Sequence, residues 1–257
     1  MTRNTAALVT GASGGLGTAF ARLCAEDGYD LVLSARSEEK LNRLKEELEQ
    51  KYSIHAYVCP ADLSKPDEAL KILKYTEDHH LEIEILINNA GFGDAGAFAE
   101  SDWNREASLV QVNVTALMQL CHGCLRQMLS SGRGHILNVS PVAAFCAGPD
   151  MAGCYASKAF VRSFSEALHE ETKGTGVTVT ALCPGPTATG FEKAAGGGRL
   201  HMFDHAADPA SVAEAGYKAM KQGKALCYPG MIPKLMNLGS RISPRSVSRA
   251  IAKKMNH

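Results

Sequence analysis

The chain has 257 residues, of which 45% are hydrophobic, and this is enough for a sizeable core in a single α/β domain. Lys and Arg together number 27, as do Asp and Glu, so no net charge points to nucleic acid or to an acidic substrate. The N-terminus lacks the apolar core of a signal peptide and no apolar run approaches the roughly 18 residues that span a bilayer, so we expect a cytoplasmic protein.

Short apolar runs alternate with longer amphipathic stretches, as in repeated βαβ units. The apolar runs are continuous, which is typical of parallel strands buried on both faces of a sheet. With right-handed crossovers, the pattern predicts a Rossmann-like, doubly wound parallel sheet of about seven strands, with helices on both faces and a ligand crevice at the strand C-termini. The predicted strands are Ala6 to Thr10, Leu31 to Ala35, Ile54 to Cys59, Ile83 to Asn88, Gly134 to Ser140, Val177 to Cys183 and Ala225 to Tyr228.

Two segments depart from this alternation. Residues Phe191 to Ala207 include three consecutive glycines and are predicted to form a mobile lid. The Rossmann-type domain is expected over residues 1–229, and a basic amphipathic helical extension over 230–257. From Lys218 onward there are nine basic residues and no acidic ones. The extension is predicted either to touch an anionic membrane surface weakly or to pack against an acidic protein surface.

Cys121 and Cys124 are the one cysteine pair at a ligand-like spacing. They lie within a predicted helix and no second pair accompanies them, which favours packing over metal or redox chemistry. We therefore predict no metal site.

A glycine-rich turn follows the first predicted strand and opens the first predicted helix. Gly11, Gly15 and Gly17 give the spacing G-x-x-x-G-x-G. Residues without a Cβ atom let the backbone turn tightly and approach a pyrophosphate at the N-terminus of a helix. By itself the spacing predicts either a phosphate loop or an ordinary tight connection between strand and helix.

Five motifs, each at a predicted strand end or on the following helix, together resemble the short-chain dehydrogenase/reductase family in its branch of about this length. The resemblance extends to about Tyr228 and implies an oxidoreductase with a nicotinamide dinucleotide cofactor. The motifs are Thr10 to Gly17 (TGASGGLG), Asn88 to Gly91 (NNAG), Asn113, Tyr155 to Lys158 (YASK) and Pro184 to Thr189 (PGPTAT).

Arg36 directly follows the second predicted strand, where dinucleotide sites contact the adenosine ribose. An acid there accepts a hydrogen bond from a 2′-hydroxyl, whereas an arginine holds a 2′-phosphate. The strand end LSARS contains no acid, the guanidinium suits bidentate phosphate binding, and Ser13 could add a hydroxyl donor. The sequence predicts NADP(H); the alternative is that Arg36 is a solvated residue at the start of a helix.

The resemblance implies further cofactor contacts. Asp62 would bind the adenine amino group, with a helix cap or turn acid as the alternative. Thr189 would bind the nicotinamide carboxamide, with an ordinary loop threonine as the alternative. The other residues that the resemblance assigns to the cofactor are Leu16, Leu63, Asn88, Asn89, Ala90, Gly91, Tyr155, Lys158, Pro184, Gly185 and Thr187.

Tyr155 and Lys158 are three residues apart at the start of a predicted helix, so they share a face. Lowering a tyrosine pKa from about 10 to near neutrality requires roughly 4 kcal/mol, and an ammonium about 4 Å away contributes on the order of 4 kcal/mol. By resemblance, Tyr155 is the general acid and base, Lys158 lowers its pKa and holds the nicotinamide ribose, and Asn113 positions a water for a proton relay.

The family serine that binds the substrate oxygen has no clear counterpart. Pro141 falls where that serine most often sits, and Ser140 lies one place earlier. Proline has no N–H and cannot substitute as a donor. Either Ser140 is the catalytic hydroxyl, which we favour, or it ends the strand and the site lacks its usual hydroxyl.

The sequence therefore predicts an NADP(H)-dependent oxidoreductase that interconverts a carbonyl and an alcohol. The alternative, which Pro141 suggests, is an NADP(H)-binding sensor or scaffold with weak or no turnover. Gly, Ala and Phe around the pocket favour a small or apolar substrate, whereas Arg199, His201 and His205 leave an anionic one open. The resemblance also implies a homodimer or homotetramer, and we expect no nucleic-acid partner.

Overall fold

The computed structural model describes residues 5–191, 195 and 206–256. Within them, seven strands form one parallel sheet in the order β3-β2-β1-β4-β5-β6-β7. The order reverses between β1 and β4, which places the ligand crevice of such a sheet at their carboxyl ends. The strands are β1 (Thr5–Thr10), β2 (Asp30–Ser34), β3 (Ala56–Val58), β4 (Glu82–Asn88), β5 (Gly134–Val139), β6 (Val177–Leu182) and β7 (Leu226–Cys227).

Helices cover both faces of the sheet. One face packs against α1, α2 and the helix that precedes β7, and the other against α3, α5 and α6. The Rossmann-like fold predicted from the alternating pattern is confirmed. The described helices are α1 (Gly15–Glu26), α2 (Glu38–Lys51), α3 (Glu68–Asp78), α4 (Trp103–Val110), α5 (Leu117–Ser131), α6 (Ala152–Glu171), α7 (Pro209–Lys221), α8 (Met231–Ile242) and α9 (Arg245–Met255).

A π-helical segment, Gln111–Ala116, joins α4 directly to α5. Such segments are rare and occur frequently at functional sites, because the wider turn re-aims the side chains on it. Asn113 lies on this segment and is buried.

Two helices follow the last strand. Pro244 stands between α8 and α9, at a position that supports the start of α9. Most large apolar side chains on the two helices face outward, including Met231, Leu235 and Ile242. No helix in the described part of the chain is long and apolar enough to cross a membrane. Most of the predicted lid, residues 192–194 and 196–205, lies outside the described residues, as do Arg199, His201 and His205.

Candidate active site

The glycine loop is held against the end of β4 by hydrogen bonds. The Asn89 amide donates to the carbonyl oxygens of Thr10 (3.0 Å) and Gly11 (3.2 Å). In return, the Thr10 hydroxyl accepts from the backbone nitrogens of Asn89 and Ala90, both at 3.1 Å. The two strand ends on either side of the switch point are thereby fixed side by side.

The loop geometry requires glycine at two positions. Gly11 has φ +64°, and a Cβ there would lie 2.7 Å from the Asn89 amide nitrogen. At Gly17 a Cβ would lie 2.1 Å from the Gly11 carbonyl oxygen, so this residue lets α1 approach the loop. At Gly14, by contrast, nothing lies within 4 Å of the Cβ position. The N-terminus of α1 is therefore open on the side where a phosphate would bind.

Two cations follow β2: Lys40 lines the cleft beside the glycine loop, and Arg36 does not. Arg36 is exposed, and Lys40, in the first turn of α2, lines the same cleft as Ser13 and Gly14. Sequence reasoning missed Lys40; its signal was a basic residue in the first turn of the helix that follows β2.

Asp62 and Leu63 lie near the adenosine end but do not line the cleft. The Asp62 carboxylate accepts hydrogen bonds from the Ser64 hydroxyl (2.7 Å) and backbone nitrogen (3.2 Å), as a turn acid does. Burial opposes its ionisation, but these bonds and the charges of Lys65 and Arg36 hold the pKa of Asp62 below its usual range. Leu63 is buried in the core.

Tyr155 and Lys158 both line the cleft from the first two turns of α6. The Tyr155 side chain is buried, and burial, with smaller effects from Cys146 and Cys154, raises its pKa to about 12. Lys158 is also buried, which lowers its pKa. Its ammonium donates to the Val139 carbonyl oxygen at 3.4 Å.

Asn113 reaches the same region from the π-helical segment. Its amide donates to the Phe92 carbonyl oxygen and to the Ser157 hydroxyl, both at 3.0 Å, and its Oδ1 accepts from the Phe92 nitrogen at 3.2 Å. A Cβ at Gly91 would lie 2.9 Å from both Asn113 Oδ1 and Lys158 Nζ, so these two polar atoms flank Gly91. The fold thus brings together Asn113, Lys158 and Gly91, as the resemblance implied.

Ser140 does not face the cleft. Its side chain is fully buried, and the hydroxyl donates to the Lys158 carbonyl oxygen at 2.7 Å. Pro141 lines the cleft instead, one position later. The structure therefore ties Ser140 to the backbone of α6 and leaves no hydroxyl at the cleft wall where Pro141 stands.

Asn88 also lies off the cleft, in a buried polar network. Its amide donates to Asn138 Oδ1 (2.9 Å) and to Cys121 Sγ (3.2 Å), and the Asn138 amide donates to the Ser165 hydroxyl (2.9 Å). This network joins β4, β5 and α6 beneath the site.

The segment after β6 closes the cleft opposite the glycine loop. Thr189 lies over Gly15, where a Cβ would come within 2.9 Å of its methyl group, and Thr189 Oγ1 accepts from the Phe191 nitrogen at 3.3 Å. Thr187 Oγ1 donates to the Gly185 carbonyl oxygen at 3.0 Å. The predicted cofactor residues that line the cleft are Gly11, Ser13, Gly15, Leu16, Asn89, Ala90, Gly91, Tyr155, Lys158, Pro184, Gly185, Thr187 and Thr189.

Asn256, just beyond α9, is a site neighbour that sequence reasoning missed. The Tyr155 hydroxyl donates to its Oδ1 at 2.9 Å, and its own amide donates to the Pro149 carbonyl oxygen at 2.7 Å. A separation of 101 residues from Tyr155 and the absence of any motif left no signal in the sequence.

The cysteines are free thiols. Cys121 and Cys124 are buried, and burial raises the pKa of both thiols, that of Cys121 to about 12. Among the described residues, no group of three or more His, Cys, Asp or Glu side chains could hold a metal ion.

Known proteins resemble this chain over most of its length. A family model described as short chain dehydrogenase matches residues 5–198. Sulfoacetaldehyde reductase 2 of Chromohalobacter salexigens is 33% identical over 196 residues, covering 74% of this chain and 76% of that protein. A 7beta-hydroxysteroid dehydrogenase of Mediterraneibacter gnavus is 32% identical over 182 residues, covering 71% of this chain and 68% of that protein.

Among solved structures, a short-chain dehydrogenase from Sphingobium yanoikuyae in complex with NADPH superposes with a TM-score of 0.81. It is 30% identical, and the match covers 89% of this chain and 88% of that one. The chain belongs to the short-chain dehydrogenase family of oxidoreductases.

Proposed function

We propose that the protein is an NADP(H)-dependent oxidoreductase that interconverts a carbonyl compound and an alcohol, with Tyr155 as its general acid and base. The observation that carries the proposal is a single cleft that runs from the glycine loop to Tyr155 and Lys158. A cleft of this form can hold a dinucleotide at one end and a substrate oxygen at the other.

The residues present fit a nicotinamide dinucleotide. The open side of Gly14 and the N-terminus of α1 suit a pyrophosphate, while Asn89 to Gly91 and Pro184 to Thr189 line the walls beyond it. When bound in its reduced form, the nicotinamide would supply a hydride to the substrate carbon. The NADPH complex of the Sphingobium yanoikuyae enzyme supports this assignment.

NADP(H) is proposed over NAD(H) because of charge. Arg36 and Lys40 are exposed cations near the start of α2, where the adenosine ribose would lie, and no acid stands at the end of β2. A guanidinium and an ammonium both favour a 2′-phosphate.

Tyr155 is suited to donate a proton to a carbonyl oxygen. With its pKa raised to about 12, the phenol is protonated at neutral pH. Lys158 and Asn113 flank Gly91. Lys158 would hold the nicotinamide ribose there, and Asn113, which is fixed by its hydrogen bonds to Phe92, would position a water for the proton relay. In the oxidative direction Tyr155 must lose its proton, and the Lys158 charge would assist that loss.

The substrate end of the cleft is largely apolar. Val142, Ala143, Met151 and Phe191 line it. We propose a small or apolar carbonyl compound as the substrate, since none of these four described side chains carries a charge that would hold an anionic group.

The test is a screen of aldehydes and ketones with NADPH and with NADH, using wild type and Tyr155→Phe. We expect consumption of NADPH in preference to NADH, and a loss of at least about 10²-fold in kcat for the variant, because general acid catalysis contributes on that order. Equal turnover by Tyr155→Phe would contradict the role of Tyr155.

Pro141 and the buried Ser140 favour a second candidate, an NADP(H)-binding sensor or scaffold with weak turnover. Loss of one oxyanion-hole donor costs roughly 10² to 10³ in rate, which slows such a site without abolishing its chemistry. Tight NADPH binding with no turnover across the substrate panel would favour this candidate over the enzyme.

We also propose that the protein forms homo-oligomers, and that its C-terminal helices touch anionic membranes weakly. Trp103 and Phe160 expose apolar surface on α4 and α6, and α8 exposes Met231 and Leu235 beside basic residues. Light scattering would test the oligomer. Co-sedimentation with phosphatidylserine vesicles would test the membrane contact, with phosphatidylcholine vesicles as the control.

A further inference from the structure

The C-terminal end of the chain supplies the hydrogen-bond partner of the proposed catalytic tyrosine. Tyr155 Oη donates to Asn256 Oδ1 at 2.9 Å, and Asn256 Nδ2 donates to the Pro149 carbonyl oxygen at 2.7 Å. Asn256 is only 6% exposed, whereas Lys253 and Lys254 in the preceding turn face solvent. One polar side chain therefore turns inward next to two lysines that face solvent.

The orientation of the Asn256 amide follows from its two partners. A backbone carbonyl oxygen can only accept, so the amide nitrogen must face Pro149. The amide oxygen then faces Tyr155, and the phenol must be the donor. Asn256 thus presents a carbonyl oxygen to the Tyr155 hydroxyl, as an aldehyde or ketone substrate would.

Neither residue at the usual place of the family serine offers this arrangement. Ser140 is committed to the Lys158 carbonyl oxygen, and Pro141 has no hydroxyl. Among the described residues, Asn256 is therefore the side chain that forms a hydrogen bond with the Tyr155 hydroxyl.

Helix α9 is held to the site by few inward contacts. Ala252 is buried in the small apolar cluster that contains Met151, Cys154 and Tyr155. Val247 and Ile251 remain about half exposed. Displacing the helix would free one buried alanine and the two Asn256 hydrogen bonds, and it would uncover an apolar wall beside Tyr155.

We propose that Asn256 occupies the position of the substrate carbonyl oxygen, so that α9 is a cap which an apolar carbonyl substrate must displace. The proposal rests on the proposed function in placing that oxygen at Tyr155. Because the cap and the substrate compete for one hydroxyl, the cap raises KM and leaves kcat for the bound substrate unchanged.

The kinetic test compares wild type, Asn256→Ala and the control Lys253→Ala, with NADPH and cyclohexanone. We expect Asn256→Ala to lower KM about fivefold, the effect of removing roughly 1 kcal/mol of competing hydrogen bond, with kcat kept within about twofold. Lys253→Ala should match wild type, since this neighbouring side chain faces solvent. A second variant, Ala252→Lys, forces a charge into the apolar cluster and should reproduce the fall in KM by undocking α9.

The opposite split would overturn the proposal. A kcat reduced tenfold or more at unchanged KM in Asn256→Ala would show that Asn256 takes part in the reaction, as a replacement for the absent serine. Unchanged kinetics in both Asn256→Ala and Ala252→Lys would show that α9 does not cap the site.

A measurement without turnover separates this proposal from the proposed function. In protein labelled with 3-fluorotyrosine, the ¹⁹F resonance of Tyr155 is identified by its loss in Tyr155→Phe. We expect this resonance to shift in Asn256→Ala and in Ala252→Lys but not in Lys253→Ala. If the resonance shifts but neither wild type nor any variant reduces cyclohexanone or the other carbonyl compounds of the panel, the result supports the cap and contradicts the proposed enzymatic function. If it does not shift, the cap is wrong whatever the activity.

Discussion

Arg36 and Lys40 are the residues on which the choice of cofactor depends. We predict that Arg36→Ala weakens NADPH binding about tenfold, the loss of roughly 1.4 kcal/mol of charge-assisted hydrogen bonding, and changes NADH binding less than twofold. The quantity to measure is Kd for both nucleotides, from the enhancement of nucleotide fluorescence. Arg43→Ala is the matched control, because Arg43 is exposed on α2, the helix that follows Arg36, and pairs with Glu39. Equal weakening of NADPH and NADH would contradict the 2′-phosphate assignment.

We expect Ser140 to contribute to the stability of the fold and Pro141 to limit the rate of turnover. Ser140→Ala removes a buried hydrogen bond to Lys158, so we predict a loss of about 1 kcal/mol in the free energy of unfolding and less than about threefold in kcat. Pro141→Ser places a hydroxyl at the cleft wall, and kcat should rise at least about tenfold. Urea unfolding and steady-state kinetics on both variants measure these effects. Should Ser140→Ala cost 10²-fold in kcat at unchanged stability, Ser140 would be the catalytic hydroxyl after all.

These residues show how far the sequence can locate a site. The motifs at strand ends placed the glycine loop, Asn89 to Gly91, Tyr155 and Lys158 in one cleft, because parallel strands in this topology end at a common edge. The sequence could not show which way Ser140 points, since a shift of one residue along a strand end reverses the face of the side chain. Asn256 was beyond prediction, because its contact depends on how α9 packs.

At the scale of elements, the approach of α1 to β1 depends on Gly17. We predict that Gly17→Ala lowers the free energy of unfolding by about 1 to 3 kcal/mol, because its Cβ would meet the Gly11 carbonyl oxygen at 2.1 Å. This clash outweighs the roughly 1 kcal/mol that alanine gains over glycine inside a helix. Urea midpoints measure the change.

Gly14→Ala is the counterpart of that variant. Gly14 has an extended backbone, with φ 175°, and nothing lies within 4 Å of its Cβ position, so stability should change by less than about 0.5 kcal/mol. Gly14 lines the cleft, however, and the added methyl group should weaken NADPH binding. Unchanged NADPH affinity in Gly14→Ala would contradict the placement of the pyrophosphate at this loop.

The pattern of apolar runs predicted which strands are present, but it predicted their first and last residues less well. The third strand was predicted over Ile54 to Cys59 but pairs only over Ala56–Val58, because β3 is an edge strand with one neighbour. The π-helical turn between α4 and α5 has no periodicity of its own and was not predicted. The number of strands and the parallel, doubly wound sheet depend on the whole pattern, which is why they were recovered.

At the scale of the whole molecule, burial of Tyr155 links stability to pH. The pKa of Tyr155 is about 12 in the folded state and about 10 in the unfolded chain, so between these values the folded state retains a proton that the unfolded state loses. Tyr155 therefore stabilises the fold fully below pH 10, and this contribution falls as pH rises. Among the described residues, the thiols Cys146 and Cys154 also raise this pKa, and Lys158 lines the same cleft.

We predict that the difference in unfolding free energy between wild type and Tyr155→Phe is constant from pH 7 to 9. By pH 11 wild type should lose about 1.4 kcal/mol relative to the variant, the value of one pKa unit. Urea titrations of the cofactor-free protein at each pH measure this difference in unfolding free energy. Its constant value from pH 7 to 9 is the internal control, because it already includes the loss of the hydrogen bond to Asn256 in the variant. If Lys158 instead held the Tyr155 pKa below 10, as its spacing suggested, wild type would gain stability relative to the variant as pH rises through that pKa. The sign of the change therefore decides whether burial or the neighbouring ammonium controls the proposed catalytic acid before the cofactor binds.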